Sequence, residues 1–240
     1  MKNGEERVGI LTAMENEVRL LLSKAEIERT DRIGGVNFHT GTLSGRKVVI
    51  AQAGIGKALS AAGASTMLNQ YNVKALIFTG VAGGVGDETR VLDLVIGTEL
   101  VQYDYGIRNQ DGFHWSPPLF SSDTGHFICD AELADMAWNA AVGVVGPEHT
   151  FRGVIASGDQ FVASESFVRE LRDTFGAVAC EMEGAAVASV CEQYGVPFAV
   201  IRSMSDKADG KAHESIENMG DLAADHCGRV VMRMLEEMKK

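Results

Sequence analysis

No lysine- or arginine-rich run interrupts the 240 residues, and the formal net charge is -11 at pH 7. Nucleic acid or an anionic membrane surface would meet a repulsive field, so partners that need a basic footprint are excluded. Metal-ligand spacing is missing too. The four cysteines (Cys129, Cys180, Cys191, Cys227) form no CxxC pair, and the six histidines form no HxxxH, so no metal site is expected. No apolar run is long enough to cross a bilayer, and the opening MKNGEER carries both signs of charge ahead of a short apolar run. Neither a signal peptide nor a membrane span is expected. The thiols read as small core hydrophobes in a reduced, cytoplasmic setting. AGIGK (53–57) and TGVAGG (79–84) complete neither GxxxxGK[ST] nor GxGxxG, which excludes a nucleotide-phosphate fingerprint. A small-molecule ligand is the class left standing.

What is present is an α/β rhythm. Short strand-like runs at 7–13, 75–81, 93–103, 151–158, 177–182 and 197–206 alternate with helical stretches, and 36–53 reads as a hairpin turning at Ser44, Gly45 and Arg46. With no composition break, internal repeat or low-complexity tract, one domain over 1–240 is expected. The last helix, near 214–239, has the clearest period: Ala223, His226, Cys227, Val230, Val231, Met234, Leu235 and Met238 recur three and four apart. His226 on that stripe reads as a core histidine. Residues 104–127 form the longest irregular stretch, the kind of segment that serves as a lid in compact domains.

Acidic residues sit where strands hand over to helices. CEMEG (180–184) places Glu181 and Glu183 in otherwise small, apolar sequence, although a buried carboxylate without a partner costs several kcal/mol, roughly. On a helix from 183 to 194, Glu183 shares the sheet-facing stripe with Ala186, Val187, Val190 and Cys191. A helix dipole explains an acid at that end, but not an inward one. In PFAVIRSMSD (197–206), alternation puts Arg202 and Asp206 on one face near the strand's C-terminal end, where open α/β sheets bind ligands and where Asp also caps helices. Glu17 lies in the first turn after ILTA, beside the stripe of Val18, Leu21, Leu22 and Ala25. Parallel neighbouring strands would gather these acids in one cleft, where paired carboxylates divide acid and base work.

GILTAMENEV, AGIGK, FTGVAGG, SGDQFV, CEMEGAAVA and RSMSDKAD, in this order over nearly the whole chain, resemble the 5′-methylthioadenosine/S-adenosylhomocysteine nucleosidases of the nucleoside phosphorylase superfamily. The resemblance implies an α/β sandwich of three layers around a mixed, partly barrel-like sheet, and a site near a homodimer interface. It implies Glu17 as the base that holds the attacking water, with Arg202 and Glu183 nearby, and Asp206, beside Ser205, as the acid that protonates adenine N7. Glu183 would also bind the ribose hydroxyls above Met182. Phe161 would stack on the base, and the backbone of Val162 would read its Watson-Crick edge. Ala13, Met14, Ile55, Val81 and Gly83 complete the implied pocket, and no cofactor is implied. Glu181 reads as structural.

The implied reaction is hydrolysis of the N-glycosidic bond of a 5′-substituted adenine nucleoside: 5′-methylthioadenosine, S-adenosylhomocysteine, 5′-deoxyadenosine or aminofutalosine. A phosphate-dependent nucleoside phosphorylase and a non-catalytic nucleoside-binding protein are the rival readings. Glu17 would repel phosphate, and retention of Glu17, Glu183, Arg202 and Asp206 argues against loss of turnover. The chain departs from the family pattern at Val81, where a serine is familiar, and at Ile216, where an aromatic often closes over the nucleoside. It departs again in the 104–127 loop, whose Tyr105, Phe113, Trp115, Pro117 and Pro118 offer apolar surface for a second subunit.

Overall fold

The computed structural model describes residues 5–118 and 124–238, so part of the 104–127 loop (119–123) lies outside the described residues. The strands are β1 (Arg7–Thr12), β2 (Glu26–Ile33), β3 (Val36–Leu43), β4 (Arg46–Gln52), β5 (Val73–Gly84), β6 (Leu94–Gln102), β7 (Gly106–Asn109), β8 (Gly112–Trp115), β9 (His126–Ile128), β10 (Thr150–Ser157), β11 (Ala177–Glu181) and β12 (Phe198–Asp206). The helices are α1 (Glu15–Lys24), α2 (Lys57–Gln70), α3 (Ala131–Val145), α4 (Glu165–Phe175), α5 (Gly184–Tyr194) and α6 (Ala212–Glu237).

The apolar runs of β1, β5 and β12 are continuous because both faces of these strands are covered. All nine residues of β12 are buried. β12, β5 and β1 lie side by side and parallel, and the sheet continues through β4, β3 and β2 on one side and through β6, β10 and β11 on the other. The antiparallel pair β12–β6 makes the sheet mixed. β11 then pairs back onto the end of β5, Ala179 against Gly84 and Cys180 against Gly83, which closes β5, β12, β6, β10 and β11 into a barrel. One core lies between the sheet and the small-residue helices α2 and α5; the other lies beneath α1, α3 and α6, where the α6 stripe is buried from Ala223 to Leu235. His226 is half-buried, its Nδ1 3.3 Å from the Leu92 carbonyl.

Two segments differ from the sequence expectation. EIERTDRI forms β2, an edge strand with almost no apolar alternation to announce it, since most of its residues are exposed. The stretch expected to be irregular carries the β7–β8 hairpin, turning at Gly112 with φ +123°, and then β9. Trp115 folds onto its own chain, donating from Nε1 to the Gln102 carbonyl at 2.8 Å and meeting Phe175 edge to face at 5.4 Å. Among the described residues no helix is long and apolar enough to cross a membrane.

Candidate active site

The parallel run β12, β5, β1 and the closing strand β11 bring their C-terminal ends to one side of the barrel. There a cavity opens between Glu17, Met182, Glu183 and Asp206, with Phe161, Val162 and Ile216 along its wall. Of the residues expected at the site, Ala13, Met14, Ile55, Val81, Gly83 and Ser205 also line it. Arg202 does not; it lies fully buried behind the wall. Ala82, Gln160 and Cys180 line the cavity without having been singled out in the sequence. Nothing chemical in those side chains marks them. Cys180 becomes visible only once β11 is known to close on β5.

Glu17 is fixed by backbone. Its Oε2 accepts the amides of Ala13 at 2.9 Å and Met14 at 2.8 Å, and its Oε1 accepts that of Val81 at 2.8 Å. Burial pushes its carboxyl up, against the opposing pull of Arg202 and these three amides. This close approach explains a glycine that sequence alone reads as a turn: Gly80 lies inside β5, and a Cβ there would collide with Glu17 Oε1 and Arg202 Nη1. Val81 contributes its amide to Glu17, an interaction that does not require a serine side chain.

Glu181 answers why CEMEG carries two acids. Its carboxylate accepts from Ser157 Oγ, from the amides of Glu183 at 3.1 Å and Gly184 at 2.7 Å, and from Arg202 Nη2. It thus ties the start of α5 to the Arg202 guanidinium, which sits 4.3 Å over the Phe78 ring. Glu183 has lighter company. It accepts the Gly56 amide at 2.8 Å and stands 3.9 Å from Arg202 Nη2. Burial, followed by repulsion from Glu181, pushes its carboxyl up to about 7. One guanidinium thus faces three acids, and its closest contact is with Glu181, which leaves burial to raise the carboxyls of both Glu17 and Glu183. The Gly56 partner of Glu183 is anchored at the next residue, where Lys57 donates its amide to Asp159 at 2.8 Å and its ammonium to Asp104 at 2.5 Å.

A register shift between Met204 and Asp206 turns both Ser205 and Asp206 toward the cavity. Asp206 Oδ1 accepts the Ala208 amide at 2.7 Å, and Oδ2 accepts Ser205 Oγ at 2.8 Å. Burial raises its carboxyl, partly opposed by those two bonds. Gly83 allows this placement, since a Cβ would meet Asp206 Oδ1 at 3.0 Å and Ala208 at 2.9 Å. Phe161 is 41% exposed on the loop after β10. Among the described residues no group of three His, Cys, Asp or Glu is placed to hold a metal ion.

A cavity edged by the buried carboxyls of Glu17, Glu183 and Asp206, at the strand ends of a mixed barrel-like sheet, defines a protein of the nucleoside phosphorylase class. The description "Phosphorylase superfamily" matches residues 7–236. A 5′-methylthioadenosine/S-adenosylhomocysteine nucleosidase of Shewanella sp. strain W3-18-1 is 34% identical, covering 97% of this chain and 100% of its own. The Neisseria meningitidis nucleosidase of that name, solved with methylthio-immucillin-A, superposes with a TM-score of 0.90 at 33% identity over 97% of this chain and 99% of its own. Futalosine hydrolase of Helicobacter pylori superposes at 0.87 with 32% identity, over 97% of this chain and 98% of its own. The chain belongs to the 5′-methylthioadenosine/S-adenosylhomocysteine nucleosidase family.

Proposed function

We propose that Glu17 and Asp206 divide the hydrolysis of the N-glycosidic bond of a 5′-substituted adenine nucleoside. The protein is an N-glycosyl hydrolase that releases adenine. The observation that carries the division of labour is the contrast between the two carboxyls on one cavity: Glu17 ringed by three amides and near a guanidinium, Asp206 buried with one amide and one hydroxyl. Burial raises both carboxyls; three amides and a guanidinium oppose that rise at Glu17, against one amide and one hydroxyl at Asp206, and on this difference Glu17 is assigned the base and Asp206 the acid.

Breaking C1′–N9 leaves positive charge on the sugar and electron density on the purine. Asp206 transfers its proton to N7 as that bond lengthens, so adenine departs neutral. Water adds to C1′ and gives a proton to Glu17, and solvent exchange afterwards restores both carboxyls. Glu183 binds the ribose hydroxyls over Met182, and the carboxylates near the sugar stabilise its positive charge. Phe161 carries the purine, and Val162 offers its backbone to the Watson-Crick edge. Arg202 acts from behind the wall, through Glu181 and Glu183.

Phosphate is a poor nucleophile for this site. Glu17, Glu181 and Glu183 all border the cavity, and Arg202, the cation beside them, is already engaged by Glu181. The substrate reading is 5′-methylthioadenosine, S-adenosylhomocysteine or 5′-deoxyadenosine, with aminofutalosine as the further member. The enzyme is read as cytoplasmic and homodimeric. Ile55, Leu59, Ile107 and Phe113 are 53, 55, 64 and 40% exposed, and such apolar surface suits a second subunit. Incubation with each nucleoside, with and without phosphate, followed by chromatography for adenine tests the reading. Adenine and free sugar are expected at a rate independent of phosphate; ribose 1-phosphate or no adenine refutes it. Sedimentation at micromolar concentration is expected to show a dimer, and a fully active 25.7 kDa species would reject it.

A further inference from the structure

Phe161 is a large aromatic ring, well exposed on a loop, yet it forms part of the cavity wall. A ring in that setting swings between rotamers unless something packs against it. His213, in the first turn of α6, stacks on Phe161 with ring centroids 4.3 Å apart and planes 27° from parallel. The cavity is lined by Phe161, and by Ile216 less than one turn further along α6, but not by His213. The imidazole thus packs on a ring that lines the cavity while staying outside the lining itself.

The loop is pinned a second time, where the Ser164 amide donates to the Ala208 carbonyl at 2.9 Å, just after the acid Asp206. Asp206 also feels His213 electrostatically, since a charged imidazole there favours the ionised carboxyl. Stacking and charge are thus two separable contributions of one side chain.

We propose that His213 is a positioning residue for the purine, holding Phe161 as a fixed platform so that base, phenyl and imidazole form one three-layer stack. The inference rests on the nucleosidase reading of the cavity and adds to it the element that orients the base. Aromatic pairs contribute enough to shift affinity about 3- to 10-fold. A displaceable cover on the base site would have the opposite sign, because its removal would tighten binding.

The test is calorimetric titration of adenine into the wild type, His213→Ala, His213→Phe, Phe161→Ala and the double variant His213→Ala/Phe161→Ala, with kcat and KM for 5′-methylthioadenosine alongside. His213 is exposed, so these changes spare the core. His213→Ala is expected to weaken adenine about 3- to 10-fold and raise KM alike, with kcat within about twofold. His213→Phe keeps the stack without the charge and should restore both. In the Phe161→Ala background, His213→Ala should add nothing. Unchanged or tighter adenine binding in His213→Ala, a His213→Phe as weak as His213→Ala, or additive effects would overturn the proposal. A wild type that binds adenine but hydrolyses none of the nucleosides would refute the catalytic reading instead, because the titration needs no turnover.

Discussion

Replacing Glu183 by Gln should stabilise the protein at alkaline pH while impairing its catalysis. In the folded state, burial and the neighbouring Glu181 hold this carboxyl up at about 7, against an ordinary value of 4.5. A carboxyl raised by folding contributes stability that is fully present below its unfolded pKa and is lost as pH rises through the folded one. The loss therefore runs between about pH 4.5 and pH 7. Two to three pH units at ~1.4 kcal/mol each come to about 3 kcal/mol. The side chain is 7% exposed, so solvent screening removes little of this. Glutamine keeps the shape, still accepts from Gly56, and cannot ionise. The raised carboxyls of Glu17 and Asp206 persist in both proteins and largely cancel in the comparison. Urea unfolding at pH 4 and pH 8.5, at one protein concentration because association would shift the midpoint, should show the variant's relative stability rising by about 3 kcal/mol between the two. A difference between variant and wild type that stays flat across this range would refute the reasoning, since it would mean that Glu183 carries no buried-charge penalty.

The same arrangement gives two further expectations. Glu181→Ala removes the closest partner of a fully buried guanidinium and the acceptor for the Gly184 amide, so stability should fall by about 3 to 5 kcal/mol; a melting curve showing less than about 1 would deny Glu181 its structural role. Gly80→Ala drives a methyl into Glu17 and Arg202 and should cut single-turnover adenine release about 10²-fold or more, while far-ultraviolet circular dichroism stays native. Near-wild-type turnover would show that Glu17 need not sit where its three amides hold it.

The buried framework was readable because its signals are local. Continuous apolar runs gave β1, β5 and β12, and three-and-four spacing gave α6. β2 escaped because an edge strand of alternating charges buries almost nothing, and its pairing with β3 is a tertiary fact. The site was readable as a set of acids at strand ends, and the family resemblance added further residues. What spacing alone does not contain is the partner of Arg202. Glu181 lies on β11 and Arg202 on β12, and these strands meet at the site only because both pair with β5. Tertiary packing likewise reassigns Gly80 and Gly83 of TGVAGG from turns to points of carboxylate approach, by Glu17 and Asp206.

The central claim is that Asp206 delivers the proton on which adenine leaves. Asp206→Asn keeps the size of the side chain and its acceptor for the Ala208 amide, and exchanges Oδ2, the acceptor of Ser205 Oγ, for an amide nitrogen with no transferable proton. Single-turnover adenine release from 5′-methylthioadenosine by this variant, with its melting temperature measured in parallel, tests the claim most directly. The account predicts a folded protein that still binds the nucleoside and releases adenine about 10² to 10⁴ times more slowly. A folded variant that keeps more than about a tenth of the wild-type rate would contradict it, because a positioned general acid is worth more than that.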